Sequence, residues 1–307
     1  MNIREATAED LPDILGVLKA SLGESSSKKT SEVWNYKHVE NPFGKSLVLV
    51  AEEENCIIGI RAFMRWEWKK GNKTYKAFRA VDTATHPDHQ GKGVFKRLTL
   101  KAIEIAAEHG DFVFNTPNDQ SRPGYLKMGW KVVDNINVVL YPAKLFGSSF
   151  NLNQKNEKKL DVIDPRLFES YNRDLENNDK FYTPKSLDYI KWRYMNNPLQ
   201  KYIVKYDENF FLACYIKEHR FFNELRISEL IYNASLGLSS AKKVISKFSY
   251  GLKPLIISSS PRNDLKRALN FRGAYGPVLT SRPLNNKESI ISRIQDWDYA
   301  LGDLELF

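Results

Sequence analysis

Two short segments of the chain place reactive or ligand-accepting residues at spacings that suit chemistry. The first, His86-Pro87-Asp88-His89-Gln90-Gly91-Lys92-Gly93-Val94-Phe95-Lys96, follows an apolar run that ends in Ala84-Thr85 and leads into a stretch with helical spacing. Gly91 and Gly93 remove the side chains that would keep a ligand off the backbone. Successive N–H groups can then point at phosphate oxygens from the positive end of the following helix, which suits a diphosphate. Taken alone, such a turn is also a common tight connection. The second segment holds Asn118, Ser121, Tyr125, Gly129 and Trp130, and its presence downstream separates the turn from an ordinary connection. Asp82, two residues before Ala84, is the nearest carboxylate by sequence. His86 and His89 stand near Asp82 and Asp88, but they fall across a strand end rather than on one helical face, so no metal site is expected.

Presenting the turn to a ligand requires a strand before it and a helix after it. Apolar alternation predicts strands over residues 46–51, 56–68 and 73–85, with turns at Glu53-Glu54-Asn55 and Lys70-Gly71-Asn72. Thr7-Ala8-Glu9-Asp10 reads as a capping box before Leu11, Ile14, Leu15 and Leu18, which predicts a first helix over 8–20. A second short helix over 31–39 should stop at Asn41-Pro42. After the turn, Val94, Leu98, Ala102 and Ile105 share one face of a helix over 93–109, with Gly110 as its stop. A buried strand over 112–114, a short helix carrying Tyr125 and a strand over 132–140 complete an α/β unit with a sheet of mixed direction.

The chain has 307 residues, 42% hydrophobic and 27% charged, enough for one large or two ordinary domains with full cores. With no run of about 18 apolar residues and no signal-like start, a soluble cytoplasmic protein with no membrane partner is expected. The formal charge of +9 is spread rather than gathered in a block. Polyanionic ligands fit that balance, and so does an ordinary solvated basic surface. No aromatic-plus-basic motif points to nucleic acid. Cys56 and Cys214 both lie in apolar, strand-like surroundings and read as buried free thiols.

The second half repeats the plan of the first. Tyr36-Lys37-His38-Val39-Glu40-Asn41-Pro42 matches Trp192-Arg193-Tyr194-Met195-Asn196-Asn197-Pro198 in residue class at a constant offset of 156 positions. Two domains are therefore predicted, residues 1–150 and 160–307, joined through the polar stretch 151–159. In the second copy the place of the glycine turn falls to Asn233-Ala234-Ser235-Leu236-Gly237, with one glycine, and no tyrosine stands where Tyr125 does. The first copy is the one expected to be active.

These residues resemble the GNAT superfamily of acyl-CoA-dependent acyltransferases. Gln90-Gly91-Lys92-Gly93-Val94 matches the family's [Arg/Gln]-x-x-Gly-x-[Gly/Ala] motif in part, departing from it at Phe95, where a small residue is usual. Asn118, Ser121, Tyr125, Gly129 and Trp130 match its second motif. The resemblance implies two tandem GNAT-like α/β domains, each a mixed, mostly antiparallel sheet flanked by helices. It implies acetyl-CoA as co-substrate and no metal. Ala84 and Thr85 would pair with the pantetheine arm, Gln90, Gly91, Lys92, Gly93, Val94 and Phe95 would wrap the diphosphate, Lys96 would add charge, and Asn118 would contact the pantetheine arm or the thioester.

The implied reaction is direct attack of an amine on the thioester. Tyr125 would act as general acid, since an ordinary phenol is protonated at neutral pH and can give its proton to a departing thiolate. Asp82 is the first candidate for a base, with Glu67 and the carboxylate of Phe307 as others; some tandem GNAT proteins use a C-terminal carboxylate. The function expected is N-acetylation of a small-molecule primary amine, with an amino sugar as one candidate. The alternatives are a non-catalytic acyl-CoA-binding protein, which Phe95 keeps open, and a Fem-like aminoacyl or peptidyl transferase. Acceptor, acyl-chain preference and oligomeric state are not written in the sequence.

Overall fold

The computed structural model describes residues 1–24, 28–144, 163–248, 253–284 and 293–304. The first half runs β1 (Asn2–Glu5), α1 (Leu11–Leu22), α2 (Ser31–His38), β2 (Leu47–Glu53), β3 (Cys56–Lys70), β4 (Lys73–Thr85), α3 (Val94–Ala107), β5 (Phe112–Asn115), α4 (Arg122–Lys127), β6 (Lys131–Asn135) and β7 (Val138–Lys144). The second runs α5 (Pro165–Glu176), α6 (Leu187–Ile190), β8 (Ile203–Tyr206), β9 (Phe210–Glu218), β10 (Asn223–Tyr232), α7 (Ala234–Ser246), β11 (Leu255–Ser259), β12 (Phe271–Gly273), β13 (Val278–Pro283) and α8 (Leu301–Leu304). This is a mixed α/β fold with two mostly antiparallel sheets flanked by helices. The parallel pairs are β4 with β5 and β10 with β11.

Helix α1 begins three residues later than its capping pattern predicts. The Asp10 carboxylate accepts from the Thr7 amide at 2.7 Å and from Arg4 at 2.6 Å, so the residues before Leu11 are held in a turn. Helix α2 starts where expected, because Thr30 Oγ1 accepts from the Val33 amide at 3.3 Å as an N-cap.

The strand expected over 132–140 is two strands that belong to different sheets. The first sheet has the order β1-β2-β3-β4-β5-β13-β6 and the second β12-β7-β11-β10-β9-β8. The break lies at Ile136, whose amide donates to Pro277 O and whose carbonyl accepts from the Gly276 amide, each at 2.9 Å. From there β7 crosses to pair with β11 and β12, while β13 returns to fill the place between β5 and β6. Sheet membership thus departs from chain order at two strands, one on each side of the 150–160 stretch.

Residues matched at the offset of 156 positions meet or make similar turns. Tyr36 and Trp192 stack at 5.2 Å between ring centroids, and Trp192 Nε1 donates to the Tyr36 carbonyl at 2.8 Å. Asn41 and Asn197 make the same turn, each accepting through Oδ1 from the amide two residues on, at 3.0 and 2.9 Å. A large aromatic core that includes Trp66, Trp68, Phe114, Tyr189, Trp192 and Trp297 joins residues of both halves. A second core lies under α3 and α4.

Both cysteines are free, but only Cys214 is buried; Cys56 is exposed, because it follows a tight turn in which Glu54 and Asn55 both take positive φ. Among the described residues no helix is long and apolar enough to cross a membrane.

Candidate active site

Strands β4 and β5 stay paired for only three positions, Ala77 to Arg79 against Phe112 to Phe114. Beyond Arg79, β4 runs on to Thr85, and at that end lies a cavity of about 460 Å³. Ala84, Thr85, Gln90, Gly91, Gly93, Val94, Phe95 and Lys96 all line it, joined by Ser21, Thr83 and His89. Lys92 sits in the same turn, exposed.

Gly91 and Gly93 have φ of +75° and +77°, the left-handed region that favours glycine, and Gly93 caps α3. The first bond of the helix is Arg97 N–H to Gly93 O at 3.1 Å. The amides of Gly91, Lys92, Gly93 and Val94 donate to no described acceptor and stand at the positive end of a 14-residue helix. Helix and sheet meet closely here: a Cβ on Gly59 of β3 would lie 2.6 Å from Val94 Cγ1. Gln90 steadies the turn by donating through Nε2 to the Thr85 carbonyl at 3.3 Å.

Tyr125 is buried on α4, its ring edge-on to Phe95 at 5.5 Å and to Trp130 at 5.0 Å. Phe95, the departure from the motif, fits because α4 carries a glycine beneath it: a Cβ on Gly124 would lie 3.1 Å from Phe95 Cε1. The phenol oxygen of Tyr125 accepts from Arg61 Nη1 at 2.7 Å, which leaves the phenol proton for another acceptor. Sequence reasoning missed Arg61. Its signal was available, as the single charge in the otherwise apolar run from Cys56 to Met64.

The asparagines have separate tasks. Asn118 is exposed, and its Oδ1 accepts from the Ser121 amide at 2.9 Å and the Ser121 hydroxyl at 2.8 Å, setting the turn into α4. Asn115 is buried and accepts from the Thr280 hydroxyl at 2.7 Å, tying β5 to β13.

Asp82 lies at a β-bulge with φ of +34°, and its carboxylate meets Lys37 Nζ and, at 2.9 Å, His38 Nε2. Burial pushes this carboxyl up, but Lys37 and His38 outweigh it and hold Asp82 below the usual carboxylate range. Burial likewise lowers the His38 pKa against the opposing pull of Asp82. Glu67 pairs with Lys76 near the β3–β4 hairpin, whereas Ala84 pairs with Ile60. Seven strand positions separate Glu67 from Ile60, roughly 23 Å at strand rise. The chain end at Phe307 lies outside the described residues. No group of three His, Cys, Asp or Glu that could hold a metal is present among them.

Residues 2–133 match the sequence family described as acetyltransferase (GNAT) domain. This segment is a GNAT acetyltransferase domain. A comparison with curated proteins finds no match. The fold is similar to a GCN5-related N-acetyltransferase from Anabaena variabilis, with TM-score 0.66 and 15% identity over 95% of this chain and 75% of that one. It is similar also to a GCN5-related N-acetyltransferase from Kribbella flavida, with TM-score 0.65 and 14% identity over 95% and 74% of the two chains. A probable N-acyltransferase from Enterococcus faecalis matches with TM-score 0.63 and 10% identity over 92% and 72%.

The two halves of the chain differ at the turn from strand to helix. Residues 86–93 separate β4 from α3, but Asn233 alone separates β10 from α7. Gly237 lies inside α7, where a Cβ would meet Asn209 O at 2.3 Å, so it serves packing and not a phosphate. The second half is also tied together by buried charges and a short helix. Lys185 pairs with Glu229 at 2.7 Å and with Asp303 of the buried helix α8 at 2.6 Å, and Arg193 donates to Gly302 O at 3.0 Å.

Proposed function

We propose that the protein is an acetyl-CoA-dependent N-acetyltransferase that transfers an acetyl group directly to a primary amine of a small molecule, with an amino sugar as one candidate acceptor. The observation that carries this reading is the conjunction of free amides at Gly91 to Val94 with a buried Tyr125 whose hydroxyl accepts a hydrogen bond and keeps its own proton to give. The amides, helix end and exposed Lys92, Lys96 and Arg97 suit the diphosphate of coenzyme A. Ala84 and Thr85 offer strand-edge backbone to the pantetheine arm, and Asn118 stands at the entrance to α4.

In the reaction the neutral amine adds to the thioester carbonyl, the C–S bond breaks, and Tyr125 protonates the leaving sulfur. The surplus proton on nitrogen passes to solvent. Asp82 is not well suited to take it, because the charge of Lys37 and the hydrogen bond from His38 that stabilise its carboxylate oppose protonation. Its role here is to hold α2 against β4. Residues 160–307 act as a copy without a cofactor cradle that supports the GNAT domain.

Phe95 is accommodated at the cavity, since its ring packs on Gly124 and Tyr125 while still bounding it. The test is calorimetry with acetyl-CoA and coenzyme A, then thiol release with glucosamine, ethanolamine, lysine and spermidine. Binding with turnover of an amine is expected. Binding without turnover of any amine would favour the sensor, and no binding at millimolar acetyl-CoA would exclude both.

A further inference from the structure

Arg61 is fully buried on β3, and apart from its bond to Tyr125 its guanidinium has no hydrogen-bonding partner: Nε and Nη2 are both unsatisfied. No carboxylate among the described residues pairs with it. Its neighbours are aromatic faces, with the guanidinium carbon 4.8 Å from the Phe63 centroid, 5.2 Å from Tyr125 and 5.8 Å from Phe95. Cation–π contact offsets only part of the penalty of burying a charge, and an apolar side chain of similar volume would stabilise such a position at least as well. Arg61 is therefore poorly explained as packing.

Position explains it better. Arg61 pairs with Thr83 on β4, which lines the cavity, and the one atom it bonds is the proposed acid. By donating to the phenol oxygen it fills a lone pair and turns the O–H away from itself. When that proton leaves, negative charge appears on the oxygen of a buried side chain, 2.7 Å from a guanidinium nitrogen.

We infer that Arg61 is a positioning residue for acetyl transfer, acting through Tyr125 to orient its proton toward the leaving sulfur and to stabilise the phenolate left behind. This rests on the transferase reading above. In the balanced step, the C–S electron pair goes to sulfur, the Tyr125 proton joins it to form the thiol, and the phenolate regains a proton from solvent.

The test is a double-mutant cycle in the full-length protein with the best amine of the panel, measuring kcat, KM and the calorimetric Kd for acetyl-CoA. Arg61→Met should lower kcat tenfold or more, with KM and Kd for acetyl-CoA within about twofold. Arg61→Lys should recover part of the loss, and it keeps the inference testable if the methionine variant folds poorly. In a Tyr125→Phe background, Arg61→Met should slow turnover less than about twofold further, because both changes disable one device. Multiplying losses, an unchanged kcat in Arg61→Met, or loss confined to acetyl-CoA binding would each overturn the inference while leaving the transferase reading in place. A wild type that binds acetyl-CoA but acetylates no amine would overturn that reading, and this inference with it.

Discussion

Tyr125 and Asp82 show how a side chain's partners decide its chemistry. Tyr125 accepts its bond from a cation and keeps a proton to give, so Tyr125→Phe should lower kcat by about 10²-fold or more and leave the acetyl-CoA Kd nearly unchanged. Steady-state kinetics beside calorimetry checks this; full retention of turnover would remove Tyr125 as the acid. Asp82 and His38 are among the groups that make stability depend on acid. His38 binds its proton more weakly when folded than at the ordinary value near ~6.5, so its contribution is complete above that pH and is lost as pH falls through and below it. Asp82 is held below the ordinary ~3.9, so its contribution is present above about pH 4 and lost as pH falls further. Melting temperature followed from pH 8 to 3 should begin to decline below about 6.5 and fall again below about 4. His38→Gln should flatten the first decline.

At the scale of elements, the turn between β4 and α3 and the bulge at Asp82 are the two places where backbone shape bears on the site. Nothing lies within 4 Å of a Cβ added at Gly93, so an alanine there would meet no protein atom. It would still strain a left-handed residue by about 1 kcal/mol and place a methyl group where the ligand approaches. Gly93→Ala should therefore weaken acetyl-CoA binding tenfold or more by calorimetry, with a loss of stability near ~1 kcal/mol in urea unfolding. A Kd within twofold of wild type would mean the diphosphate lies elsewhere. Helix α8 marks the other half in the same way, since its backbone and Asp303 fill the space over Lys185, Tyr189 and Arg193.

For the whole molecule, the exchange of β7 and β13 makes each sheet depend on a strand from the other half of the chain. Residues 1–150 alone would leave β5 and β6 without the strand between them, and 160–307 would leave β11 and β12 in the same state. The shared aromatic core would be opened as well. Each fragment expressed alone should be insoluble or unfolded by circular dichroism, while co-expressed fragments should purify as one complex. The intact chain should unfold in a single calorimetric transition. Two soluble, separately folded fragments would contradict this.

The sequence by itself determined the parts whose signals are local. The glycine turn, its helix, the spacing from Asn118 to Tyr125 and the offset between Tyr36 and Trp192 depend on residue type and short periodicity. They were legible because a left-handed turn or an amphipathic helix restricts which residues can occupy it. The path of β7 was not, since strands of either sheet share the same alternation and nothing local says which sheet a strand joins. Nor were the partners of Asp82 and Tyr125. Those bonds join residues 44 and 64 positions apart, and which donor arrives beside a carboxylate or a phenol is fixed by how strands and helices pack. Tertiary structure alone therefore brought Lys37 and His38 to the carboxylate of Asp82 and the buried charge of Arg61 to the hydroxyl of Tyr125.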